Sequence, residues 1–236
     1  MVANPAKPTV VLVHGAFADA SGFAGIIREL QSADCAVYAP PNPERGLAFD
    51  AGTLTPFVAA IDGPVVLVGH SYGGAVITQA SASLSNVVGL VYLAGFGLDT
   101  GESVAAVQAP FAPPLLAANG RATSYDAVGA AGGPDLYIDG KTFRETFCAD
   151  LPVDVAAVMA VSQRPVAAAT LNENCTAPAG NPFPPGIWCP PRITPSIPTP
   201  SASWPSAWEP PPIPCRAPTS PSSAIRSRPP PSSCRA

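Results

Sequence analysis

Gly69-His70-Ser71-Tyr72-Gly73-Gly74 follows directly on the apolar run Val65-Val66-Leu67-Val68 and opens a stretch with helical spacing. A GxSxG string between a buried strand and a helix leaves a chain few folds to choose from. The serine must sit on a turn too sharp for ordinary φ/ψ. Gly69 and Gly73 are needed beside it, because a Cβ at either place would strike the adjacent strand or helix. The pattern predicts Ser71 as a nucleophile raised on a strand-to-helix turn, with His70 in a supporting place on that turn. The competing reading is a chance GxSxG in a Gly-rich turn, and the strand in front of it weighs against that.

The rest of the first hundred residues alternates in the same way. Thr9-Val10-Val11-Leu12-Val13 reads as a strand buried on both faces. Ser21 is placed to cap a helix on which Phe23, Ile26, Ile27 and Leu30 share one face. Residues 35–39 read as a second strand closed by Pro40 and Pro41, residues 48–61 as an amphipathic helix, and residues 87–93 as another strand. The helix after Ser71 is expected to reach about Leu84. Strands separated by helices lie parallel, so the fold class is α/β with a doubly wound, mostly parallel sheet. From 101 to 173 the pattern changes to helical fragments and loops, read as a helical cap, with a small hairpin expected around Asp139-Gly140. The expected division is a core over 1–100, a cap over 101–175 and a Pro/Ser-rich tail over 176–236.

His14-Gly15-Ala16-Phe17 ends the first strand. A Gly-containing loop there can aim a backbone amide at the oxygen of a tetrahedral intermediate, and its partner is the Tyr72 amide at the start of the helix, where N–H groups are free and the dipole favours negative charge. With this loop about 55 residues ahead of the elbow, the chain resembles the α/β-hydrolase superfamily over residues 8–175. The likeness is to the small esterase and hydroxynitrile-lyase-like branch, whose members share an HGA loop, GHSxGG and a strand like Val91-Tyr92-Leu93-Ala94-Gly95-Phe96. The resemblance implies Ser71 as nucleophile, the Ala16 and Tyr72 amides as oxyanion hole, and His14, Gly15, Gly69, His70 and Gly73 as the supporting turns. It implies no cofactor and no metal. It also implies a carboxylic-ester substrate, small and mainly apolar. A non-catalytic ligand- or partner-binding protein and a cyanohydrin-type lyase on the same fold are the alternatives.

That family supplies its triad acid after the sixth strand and its histidine near the C-terminus. Here no residue is identified for either role: the sequence holds two histidines, His14 and His70, and both precede Ser71. His14 reads as a residue that fixes its own loop, His70 as structural, and Asp19 as a loop or cap residue. Beyond Cys175 the composition breaks, with 18 prolines, ten serines, five arginines and one acidic residue in residues 181–236. Proline removes amide donors and fixes φ, so this tail is expected to be disordered and the fold truncated. Yet it also carries Trp188, Trp204 and Trp208. Joining the last base of each codon to the first two of the next permits W-Y-L-V-S-A-E-D-N-A-I from Pro185 onward, and T-V-P-G-S-H-V-A-F-I from Ile213. A strand with an acid and then a histidine thus return in family order. Two readings stand, a frameshift between about Cys175 and Pro185 or a natural Pro-rich extension.

Composition bounds the partners. A net charge of −4 provides no basic field for phosphates, which argues against nucleic acid. No uninterrupted apolar run approaches the roughly 18 to 20 residues that cross a bilayer. The first eight residues hold no apolar signal core, which points to the cytoplasm. Cys35, Cys148, Cys175, Cys189, Cys215 and Cys234 show no metal-ligand spacing and read as buried or incidental thiols. The oligomeric state is not encoded in any pattern found here.

Overall fold

The computed structural model describes residues 7–124 and 133–176. They lie within one unit, Met1–Ser196. The tail with its three tryptophans, Cys189, Cys215 and Cys234 falls outside the described residues, as do the expectations attached to it.

Four parallel strands form the central sheet in the order β2-β1-β3-β4. They are β1 (Thr9–Val13), β2 (Val37–Tyr38), β3 (Val65–His70) and β4 (Val87–Leu93). The helices between them are α1 (Ala24–Ser32), α2 (Leu47–Ala59) and α3 (Tyr72–Ser81). Side chains alternate across a strand. Val11, Val13, Val65 and Leu67 accordingly meet Leu47, Ala51, Leu54 and Val58 of α2 and Ala75 to Ile77 of α3 on one face. Leu12 and Val68 meet Phe23, Ile27 and Leu30 on the other. The sheet is therefore wound on both faces. Among the described residues β4 is an outer strand, with Val91 exposed.

Several local expectations are corrected. Asp19, not Ser21, is the N-cap of the turn Ala20–Phe23 that leads into α1, and its carboxylate accepts the Ser21 N–H at 2.7 Å. Ile26 points to solvent rather than joining the apolar face of α1. Only Val37 and Tyr38 of residues 35–39 pair with β1, and α3 stops at Ser81.

The cap contains short helices α4 (Val104–Gln108), α5 (Leu115–Asn119), α6 (Phe143–Phe147) and the longer α7 (Val153–Ser162). It also contains an antiparallel sheet the sequence did not announce, of β5 (Gly120–Thr123), β6 (Asp135–Ile138) and β7 (Val166–Ala167) in the order β5-β6-β7. The hairpin expected around Asp139-Gly140 does not form. Asp139 instead accepts the Lys141 N–H at 2.8 Å, turning the chain into α6, while β6 pairs with the distant β5 and β7. Ile138, Phe143, Cys148, Ala156 and Val166 make a separate cap core, and Phe17 from the β1 loop is inserted into it. Among the described residues no helix is long and apolar enough to cross a membrane.

Candidate active site

Strand β3 delivers Ser71 onto the elbow with φ 50° and ψ −122°. A positive φ in a residue other than glycine is uncommon, and the surrounding contacts hold it there at a cost of order 1–3 kcal/mol. The Ser71 N–H donates to the Leu93 carbonyl at 3.3 Å, and its own carbonyl accepts from Gly74 at 3.0 Å and Phe96 at 3.1 Å. Both expected glycines are sterically required. A Cβ on Gly69 would lie 2.5 Å from the Gly73 oxygen, and one on Gly73 would collide with the Val13 carbonyl. Tyr72 is the first residue of α3, where leading N–H groups have no partner within the helix.

At the end of β1 the imidazole of His14 is buried, with its Nε2 accepting the Asn42 N–H at 3.0 Å. The ring proton therefore sits on Nδ1, which lies 3.0 Å from the Gly15 oxygen and 3.4 Å from Glu44 Oε1. The His14 carbonyl also accepts from the Asn42 side chain at 3.2 Å. Both ring nitrogens are engaged, so His14 fixes the loop. Ala16 packs between the sheet core and the cap core. Phe17 has φ 64°; its N–H donates to Glu44 Oε2 at 3.3 Å and its carbonyl accepts from Arg164 at 3.3 Å. His70 is half-buried, and burial lowers its basicity. Asp19 serves as a cap, its carboxyl held below the usual range chiefly by the Ser21 hydrogen bond.

Two buried carboxylates escaped the sequence reading. Asp50 accepts the Tyr72 hydroxyl at 2.7 Å and the Arg45 N–H at 3.0 Å, which ties the side chain of the elbow to α2. Burial raises its pKa, opposed first by the Arg45 N–H. Burial also pushes the Tyr72 hydroxyl far up, helped by the charge of Asp50. Glu44 is wholly enclosed and has φ 60°. Burial pushes its carboxyl up to about 7, with the neighbouring His14 imidazole as the main opposing influence. The usable signal was position: Asn42 to Gly46 follow β2, at the carboxyl ends of parallel strands where α/β sites are built.

The sequence pattern of the alpha/beta hydrolase family matches residues 10–227.

The chain belongs to that family.

The chain is also 30% identical over 126 residues to the alpha/beta hydrolase nvfD of Aspergillus novofumigatus, a match covering 45% of this chain and 50% of that protein. It thus spans about half the length of the curated relative it matches. Its fold is that of polyneuridine aldehyde esterase (TM-score 0.61, 17% identity, 72% of this chain and 74% of that one). It is shared with a methylesterase from Arabidopsis (0.57, 17%, 75% and 73%) and tomato methylketone synthase I (0.59, 18%, 72% and 73%).

A cleft of about 490 Å³ opens under α4 and α5. Leu116, Leu136, Tyr137, Leu171 and Gln108 line it together with Phe17, which joins it to the His14 loop. Ser71 is not on its wall. Arg45 fastens the loop after β2 to the cap through Asp135 at 2.6 Å and the Pro165 carbonyl at 2.6 Å. Glu173 accepts the Leu47 and Ala48 N–H groups at 2.6 and 3.1 Å, so the end of the cap seals the start of α2.

Proposed function

We propose that this chain carries the nucleophilic half of a carboxylic-ester hydrolase acting on small, mainly apolar substrates. Ser71 Oγ attacks the ester carbonyl and gives its proton to solvent water, the Ala16 and Tyr72 amides receive the oxyanion, the alcohol leaves with a proton taken from water, and a second water later cleaves the acyl-enzyme to the free acid. The observation that carries this reading is the left-handed backbone of Ser71 at the junction of β3 and α3. Glycine would adopt that conformation with less steric strain, and the serine is held in it by the Leu93, Gly74 and Phe96 hydrogen bonds. The esterases among the fold relatives support the substrate class.

The sequence has no histidine after Ser71, and both nitrogens of His14 are engaged. Turnover is therefore expected to fall to the roughly 10³- to 10⁴-fold over water that an oxyanion hole and binding sustain without a triad. The test is hydrolysis of p-nitrophenyl acetate and butyrate by the chain and by Ser71→Ala. Nitrophenolate released at one equivalent per chain, followed by slow turnover and lost in Ser71→Ala, is the expected result. Equal release by both proteins overturns the reading.

A second reading, stoichiometric binding of an apolar ligand without chemistry, draws on the cleft whose wall excludes Ser71. Saturable binding of the ester with no nitrophenolate burst would favour it.

A further inference from the structure

Phe17 and Glu44 are both buried, both at left-handed φ without being glycine, and hydrogen-bonded to each other. The link is made by the side chain of Glu44, whose Oε2 accepts the Phe17 N–H while Oε1 lies against His14 Nδ1. Among the described residues Oε1 has no hydrogen bond beyond that approach. The backbone of Glu44 reaches elsewhere: its carbonyl accepts from Ala167 of β7 at 3.0 Å and from the Thr170 hydroxyl at 3.4 Å.

A fully enclosed carboxyl is expensive, and an apolar side chain would fill the same space without that expense. What an apolar side chain cannot do is accept hydrogen bonds. The two donors facing Glu44 belong to residues 14 and 17, which bracket Ala16 on both sides. Ala16 itself is wedged between the sheet core and the cap core, so freedom in its turn depends on those brackets.

We propose that Glu44 is a positioning residue for the oxyanion loop: its carboxyl, gripping the loop at Phe17 and facing His14, holds the turn that presents the Ala16 amide. The proposal rests on Ser71 being the nucleophile, and it goes further by giving the loop an owner outside the loop. Its leverage is geometric. The residue that grips the loop is itself anchored to β7, so the amide is set by contact with the cap as well as with the sheet.

The test uses phenylboronic acid, whose boron accepts the Ser71 Oγ in a new O–B bond. The hydroxyl proton goes to solvent, leaving a tetrahedral boronate anion where the oxyanion would lie. Its affinity is read by ¹¹B NMR for the chain, Ser71→Ala, Glu44→Leu and Glu44→Gln. Amide exchange at residues 15–17 is followed by mass spectrometry, and benzyl alcohol, which forms no adduct, reports on binding without the bond to Ser71. Glu44→Leu is expected to weaken boronate binding at least tenfold and to speed exchange at Phe17 at least tenfold, with benzyl alcohol affinity within twofold. Glu44→Gln, which keeps an acceptor, recovers part of both losses.

Unchanged boronate affinity in folded Glu44→Leu, or an equal loss of benzyl alcohol binding, overturns the proposal. If the unsubstituted chain forms no adduct, the Ser71 reading fails by itself and exchange decides for Glu44. Faster exchange in Glu44→Leu but not in Glu44→Gln then upholds its hold on the loop, and no change overturns it. Glu44→Ala, which removes both acceptors without placing a branched apolar group beside His14, takes the same measurements if Glu44→Leu does not fold.

Discussion

Asp50 reaches the elbow through Tyr72, and Glu44 reaches the neighbouring loop through Phe17, so two enclosed carboxyls serve adjoining parts of one site. Their surroundings differ. Each oxygen of Asp50 has a donor of its own, at 2.7 and 3.0 Å. Glu44 has one donor at 3.3 Å, and an imidazole at 3.4 Å that it shares with the Gly15 carbonyl. Burial raises the pKa of both acids, and the number and closeness of donors decide how much of that rise is offset. The elbow is thus pinned by a satisfied pair, whereas the loop is pinned by a strained and incompletely satisfied one.

The widest separation between the two should come from Asp50→Ala. Removing Asp50 strands the Tyr72 hydroxyl and opens a cavity between α2 and α3, at a cost of about 3–4 kcal/mol. Urea denaturation of the variant measures it. A cost under about 1 kcal/mol would mean that the pair is no firmer than the loop contact.

Glu44→Gln should behave in the opposite sense, and only in part of the pH range. The carboxyl's folded-state pKa, about 7, exceeds the ordinary glutamate value of 4.5, so it binds a proton more tightly folded than unfolded. The stability associated with the protonated acid is complete below about 4.5 and is lost as pH rises through about 7. That loss is of order 3 kcal/mol, discounted by ionic relaxation around His14 and Arg164. The glutamine does not titrate. The melting temperature of Glu44→Gln relative to the unsubstituted chain should therefore climb between pH 4.5 and pH 7 and level off above it. A difference independent of pH would show that Glu44 ionises as freely as an exposed acid.

The smallest effect sharpens the same contrast from outside. Glu173→Ala removes the acceptor for the first N–H groups of α2 without touching either carboxyl, and should cost about 1 kcal/mol. The pH dependence assigned to Glu44 should survive in it. Thermal melts of the double variant with Glu44→Gln would detect any coupling.

What the sequence disclosed is the part governed by local pattern. The apolar runs of β1 and β4 give the strand ends at Thr9, Val13, Val87 and Leu93, and GxSxG after β3 places the elbow at Ser71. What it concealed depends on partners far along the chain. Leu136 to Lys141 has the alternation and the Asp-Gly of a local hairpin, but its strand finds better partners at Gly120–Thr123 and Val166–Ala167. Asp19 and Ser21 are both good caps two residues apart, and composition does not rank them. Nothing in the local sequence around Glu44, between Pro43 and Arg45, points to burial, and its enclosure arises only when Phe17 and residues 166–170 close over it. Asp50 lies in the stretch read as an amphipathic helix, but neither its burial nor its tyrosine partner follows from that spacing.

The loop from Asn42 to Leu47 is tied to Pro165, Thr170 and Glu173, contacts that span 120 to 126 positions of chain. Closing loops of that length is among the slower steps available to a folding domain. On a ribosome, β1 to β3 and the elbow can assemble long before Glu173 has left the exit tunnel, but the turn around Glu44 cannot. Local geometry at Ser71 and long-range geometry at Ala16 therefore mature at different times during synthesis.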